Sequence, residues 1–284
     1  MKKIILTIIL SIPSFGMSQS DCIRIYEKGL YFAQNNQIDS AYVKFKELQE
    51  SVPKNDTLYE HAIWYNTLTA SHIEQNARNN EKFDISLKYG LKALEAIRKG
   101  RFMFDEQFAK REYFMMKNIT VSHFGLGNFE EGKKWKAKMY KAKKDSLLPE
   151  GLDEYFNFDF FKIGDKNVWG YEWFAELPEN RFSSSFTKVV YYVYSTNPDG
   201  SDKDQLYRLH VLMFHGDTKK FDYVLTKRME TGKDEFSGTL YQYTYKEDID
   251  YKKLQKDVKD IVSGNMKSME EYLEEKKKEK KKGE

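Results

Sequence analysis

The sequence predicts an α+β protein, with an array of helical hairpins through residue 149 followed by an antiparallel β meander and a carboxy-terminal helix. Three observations carry that expectation. Small and apolar residues recur at helical spacing through the first half, and a helix-turn-helix pattern returns 45 or 46 residues later. After Leu147, Pro149 and Gly151 the texture changes to short aromatic runs separated by turn-formers. The expected divisions are a signal peptide at 1–20, helical repeats at 21–149, the β domain with its helix at 150–273 and a charged tail at 274–284.

At 284 residues the chain is long enough for two ordinary domains, and its 40% hydrophobic, 15% aromatic composition can build cores. With 47 basic and 44 acidic residues the net charge is +3, which offers no general attraction for a polyanion, so no nucleic-acid partner is expected. Residues 1–20 read as a secretory signal: Lys2 and Lys3, an apolar run from Ile4 to Ile12, then Pro13, with Gly16 and Ser18 spaced for cleavage before Gln19. The apolar run is far short of the roughly 20 residues that span a bilayer. The expectation is a secreted or periplasmic protein with no integral membrane segment after signal removal. Cys22 is the only cysteine, so no internal disulfide can form. Gln19 and Asp21 stand where a bacterial lipid-attachment motif needs a leucine and a small residue, so a lipid anchor is not expected.

In the first hairpin, Gly29 and Phe32 share a face of one helix, Asn35-Asn36-Gln37 makes the turn, and Ala41, Phe45 and Leu48 line a second helix ended by Pro53. Two echoes follow. In the first, Phe83, Ser86, Leu87, Ala93 and Leu94 take the second-helix positions, with Gly90 where an aromatic is expected. In the other, Gly127 and Phe129 match the turn, Gly132 replaces the small alanine, and Trp135 sits one place short of the aromatic position. Long helices of about Thr57 to Ala77 and Asp105 to Gly125 precede these echoes, giving six helices in three hairpins.

The placement of Gly29, Phe32, Ala41, Phe45 and Pro53 resembles the tetratricopeptide repeat, with Asn36 in place of the turn glycine and Ile38 in place of the following tyrosine. That resemblance implies a superhelical array whose first helices hold a protein or peptide on their inner face. Carried over position by position, it nominates Tyr26, Leu30 and Gln34 in the first repeat and Lys117, Val121 and Phe124 in the third. In the lengthened second repeat it nominates Trp64 and Thr67, with Ser71 and Glu74 further along the same helix.

From Gly151 to Glu247, 22 of 97 residues are aromatic, many of them in six strand-like runs: Phe156 to Ile163, Val168 to Leu177, Lys188 to Ser195, Leu206 to Phe214, Phe221 to Lys227 and Ser237 to Tyr245. The connections are too short for helical crossovers, so neighbouring strands must run antiparallel. A helix from about Asp250 to Leu273 carries Leu254, Val258, Ile261 and Met269 near one face, and the lysine-rich end has nothing to bury.

Catalytic and metal chemistry find little support. Asn197, Asp199, Asp202 and Asp204 cluster in one hairpin without the acid spacing of a calcium loop. His210 and His215 are five apart, on opposite faces of a strand, with no third ligand spaced to join them. There is no Gly-x-Ser-x-Gly elbow, and Gly125, Gly127 and Gly132 follow a helix where a phosphate loop needs a strand. The expectation is therefore a non-catalytic scaffold without cofactor or metal. The alternative is that the β domain binds a small ligand or polymer, or is a weak enzyme, with the helices as its mount. A concave pocket lined by Trp169, Tyr171 and Trp173 with convergent polar groups would favour the alternative.

Overall fold

The computed structural model describes residues 18–152, 155–173, 186–195, 206–214, 220–228, 234–244, 250–266 and 269–282. Six helices come first: α1 (Gln19–Gln34), α2 (Ile38–Ser51), α3 (Thr57–Asn79), α4 (Phe83–Gly100), α5 (Glu106–Gly125) and α6 (Phe129–Lys144). Six strands follow, β1 (Tyr155–Ile163), β2 (Lys166–Trp173), β3 (Phe186–Ser195), β4 (Leu206–Phe214), β5 (Lys220–Arg228) and β6 (Asp234–Thr244). Each pairs antiparallel with the next, so sheet order repeats chain order. Helices α7 (Tyr251–Val262) and α8 (Met269–Lys282) complete the described chain. The expected signal segment lies, up to residue 17, outside the described residues, as do the 196–205 hairpin and His215.

The three hairpins are built on one turn. Asn36, Glu81 and Gly127 all adopt left-handed backbone, with φ of 57°, 56° and 73°. The residue after each, Gln37, Lys82 or Asn128, donates its N–H to the carbonyl five residues back, on Phe32, Ala77 and His123 at 2.8, 2.9 and 2.8 Å. The left-handed residue itself donates to Ala33, Arg78 or Phe124. This pair of bonds is the Schellman motif, which satisfies carbonyls that a helix end leaves open. Only Gly127 adopts the left-handed region without a side-chain penalty. The carboxylate of Glu81 is also held, accepting from the Lys162 N–H at 2.8 Å, so the second turn is tied to β1.

The chain divides into two compact units, Met1–Ala70 and Ser71–Glu284. In the first, α1 and α2 close on each other at Gly29, where a Cβ would lie 2.7 Å from the Phe45 ring. Phe45 is fully buried and stacks on Tyr65 at 4.7 Å, and Ala41 and Leu48 are fully buried beside it on α2. Asn66 fastens this core by donating to the Gln49 side chain at 2.6 Å.

In the second unit β1 is buried on both faces, which explains its five consecutive buried residues from Asn157 to Phe161. Phe158 meets Phe124 of α5 edge-on at 5.1 Å, and Phe160 meets Phe83 of α4 at 6.5 Å. Asp159 and Phe161 meet α7 through Gln255 and Lys259. A bulge between Asn157 and Asp159 shifts the register of β1 on β2.

The single helix expected over 250–273 is instead two. Gly264, at φ 74°, ends α7 with a left-handed residue, and the chain restarts as α8. The lysine-rich end, which has nothing to bury, is helical, with Glu274 and Lys278 4.0 Å apart one turn along it.

Candidate functional site

Below the left-handed turn, the three hairpins differ at one pair of facing positions. In the first hairpin they are Gly29 and Phe45; at the same spacing in the second they are Glu74 and Gly90, and in the third Thr120 and Lys136. Small and large have changed places in the second hairpin, where a Cβ on Gly90 would lie 3.5 Å from Cγ of Glu74. The exchange puts a carboxylate, 1% exposed, inside the helical packing. Glu74 is fully engaged: Oε1 accepts from Arg78 Nε at 2.9 Å and Ser86 Oγ at 3.0 Å, and Oε2 accepts from Asn118 Nδ2 at 2.9 Å. An unpaired carboxylate there would be costly, and this one has a cation and two neutral donors.

Glu74 in turn fixes Arg78 at the edge of a cavity of about 430 Å³. Gln75, Arg78 and Asn79 line it from α3 and Lys117 from α5. Asn157 of β1 and Trp169 and Tyr171 of β2 line the opposite wall, with Leu152 at the junction. The guanidinium carbon of Arg78 lies 5.9 Å from the Trp169 ring centre, and Trp169 packs on Phe160 at 4.1 Å. Lys117 is half-buried, and its ammonium has no ion pair or hydrogen bond among the described residues. Desolvation lowers its pKa to about 8, Arg78 pushes the same way, and Glu74 pulls back. Asn157 donates through Nδ2 to the carbonyls of Asp159 and Gly170, both at 2.8 Å, which fixes its amide and leaves Oδ1 buried without a partner.

A second buried group lies among α6, α7 and the first three strands. Lys136, on α6 at the aromatic position of the repeat, is 5% exposed, pairs with Glu172 of β2 and donates to the Tyr251 hydroxyl. Its ammonium lies 4.4 Å from the Tyr251 ring centre and 4.9 Å from that of Phe158. Desolvation lowers the pKa of Lys136, against the pull of Glu172 and Asp159. The hydroxyl of Tyr140 donates to the other oxygen of Glu172. Nearby, Asp159 is 1% exposed and accepts from Gln255 Nε2 at 3.1 Å, its neighbour's N–H at 2.9 Å and the Tyr192 hydroxyl at 3.3 Å. Gly170 makes the last contact possible, since a Cβ there would lie 2.8 Å from the Tyr192 ring.

Burial raises the carboxyl of Asp159 from 3.8 to about 6, outweighing those hydrogen bonds. The folded chain therefore takes up a proton between those values, and the group's contribution to stability is full below the lower pKa and lost as pH rises through the upper one. Asp159→Asn, which keeps the shape without the charge, is expected to be the more stable protein at pH 7, by up to roughly 3 kcal/mol. It should also flatten the wild-type decline between about pH 4 and 6; urea unfolding at several pH values measures both.

The residues nominated from sequence separate into three groups. Tyr26, Leu30, Gln34 and Trp64 lie in the first unit with partial or full exposure; Tyr26 sits among Phe45, His61 and Tyr65. Lys117 lines the cavity. Thr67, Val121 and Phe124 do not face a partner. All three are fully buried, Thr67 donating to the Ile63 carbonyl at 2.9 Å, Val121 packing with Phe83 and Phe160, and Phe124 packing with Phe158 and Tyr251. At Val121 and Phe124 the sheet occupies the expected groove. Gln75 and Asn79 escaped the sequence reading, although a shift of 45 residues from Leu30 and Gln34 leads to them. Arg78 carried no such signal.

Among the described residues no cluster of His, Cys, Asp or Glu is arranged to hold a metal ion, and no helix is long and apolar enough to cross a membrane. Comparison with known protein families, with curated proteins and with solved structures gave no match.

Proposed function

We propose that this is a non-catalytic, extracytoplasmic binding protein that holds a small molecule where α3 and α5 meet the β1–β2 hairpin. The cavity carries the reading. It combines Trp169 and Tyr171 with Arg78, Lys117 and Asn157, the mixture of apolar wall and few directed polar groups that small-molecule sites use. Its size also falls within the range of about 300–1,000 Å³ typical of such sites. The helices are tetratricopeptide-like in this reading, supported by the shared Schellman turn and by small residues at Ala41, Ser86 and Gly132, all buried. Secretion rests on the three-part layout of residues 1–20.

A second reading keeps the helical array as a scaffold for a protein or peptide partner, held through Tyr26, Leu30, Gln34 and Trp64. The specific support is that these four retain exposure, with Tyr31, 60% exposed, on the same helix α1. Asn79→Trp divides the two readings, because it fills the cavity and leaves residues 18–70 unchanged. Ligand-observed NMR with a mixed set of ring-containing small molecules should give hits in the wild type that disappear in the variant. Hits that survive the substitution, or none at all, would remove the cavity from consideration and leave the scaffold.

A further inference from the structure

The charges around the cavity do not balance. Arg78 and Lys117 both reach it, whereas none of the described residues lining it is acidic. The carboxylate beside them, Glu74, has both oxygens committed to Arg78, Ser86 and Asn118. Arg78 spends only Nε on that pair, and its two terminal nitrogens make no hydrogen bond among the described residues. Its side chain is 9% exposed, so those donors are withdrawn from water and face a site able to supply an acceptor. The ammonium of Lys117 is in the same condition. On the opposite wall, among the described residues, the buried group without a partner is an acceptor, Oδ1 of Asn157, which is 6% exposed.

Resting on the ligand-binding reading above, we propose that the cavity recognises a ring-bearing oxyanion, with the anionic group between Arg78 and Lys117, the ring against Trp169 and Tyr171, and a donor on the ligand meeting Asn157 Oδ1. A carboxylate, phosphate or sulfonate satisfies the two cations equally in kind, the guanidinium by paired N–H donors and the ammonium as a point charge. A neutral ligand would leave Lys117 without a counter-charge and the terminal nitrogens of Arg78 without an acceptor. A cationic one would add a third positive charge to these two. Held between α3 and α5, the oxyanion occupies the inner helical face that the repeat architecture would otherwise leave open, and the sheet supplies its lid.

The charged groups acting on Lys117 are Glu74 and Arg78 of α3, and the titratable side chain lining the cavity from the sheet is Tyr171 of β2. The ammonium's pKa lies near 8, so it is largely charged at neutral pH and discharges as pH rises through that value. Anion affinity should be level below it and fall above it.

Isothermal titration calorimetry with full-length protein tests the proposal, using para-hydroxyphenylacetate, its neutral amide, tyramine and phenyl phosphate as probes. The acid should bind one to one and at least about tenfold tighter than the amide, as expected for hydrogen bonds to a charged group, with tyramine weakest. Lys117→Met should bring the acid down to the level of the amide and abolish the loss of affinity above pH 8; this variant removes a desolvated charge and is expected to fold. Phenyl phosphate binding tighter than the acid supports the proposal and identifies the oxyanion as phosphate. Acid and amide binding equally well, or tyramine binding best, overturns the oxyanion and leaves a ligand cavity standing. If no probe of any charge binds at millimolar concentration, both the oxyanion and the ligand-binding reading fall.

Discussion

Glu172→Ala is expected to lower folding stability by about 3–5 kcal/mol, the range for removing one partner of a buried ion pair. The loss comes from the charge left behind. Lys136 would remain 5% exposed, with the Tyr251 hydroxyl and the faces of Phe124, Phe158 and Tyr251 around its ammonium and no carboxylate bonded to it. Lys136→Met should cost a comparable amount, because it strands Glu172 with the Tyr140 hydroxyl as its remaining donor just as Glu172→Ala strands Lys136 with that of Tyr251. The double replacement Lys136→Met with Glu172→Leu should recover most of the loss, since burying neither charge avoids both desolvation penalties. Urea denaturation of the wild type, Lys136→Met, Glu172→Leu and the double variant measures the coupling directly, with Glu172→Ala alongside. A Glu172→Ala loss below about 1 kcal/mol would mean that water reaches the pair, as it does in exposed ion pairs of that strength.

The sheet was legible because its strands carry the signal locally. Aromatic and β-branched runs with Gly, Pro, Asn and Asp between them marked six strands, and short connections dictated the meander. Two of the hairpin turns were legible for the same reason, at Asn36 and Gly127, whereas Glu81 is not a residue type that such turns favour. The interior charges were not. Glu74, Lys136, Asp159 and Glu172 are residue types that nearly always face water, and only the tertiary partners of each explain its burial. Two had left a trace: Gly90 and Lys136 stand where the repeat calls for an aromatic, and each marks a hairpin whose core includes a charged group. The groove assignment failed at Val121 and Phe124 because helix spacing shows which residues share a face, while what covers that face depends on β1, some 30 residues later.

Phe124→Ala should have an effect as large as that of Glu172→Ala, about 3–5 kcal/mol for a fully buried phenylalanine, and it reports on how α5 and the sheet depend on each other. Phe124 lies under a Cβ-free surface at Gly132 of α6, where any added Cβ would come within 2.5 Å of its ring. It also makes edge contacts with Phe129, Phe158 and Tyr251, at 5.6, 5.1 and 5.0 Å. One ring therefore joins α6, β1 and α7, all within the Ser71–Glu284 unit. Truncating it leaves a cavity bounded by all three elements, so they should lose stability together. Hydrogen exchange resolved by segment is the measurement. Equal loss of protection in α5, α6, β1 and α7 is expected, with little change in α1 and α2. If exchange accelerates in the helices and not in β1, the sheet folds independently of them, and a fragment beginning near residue 150 should fold alone.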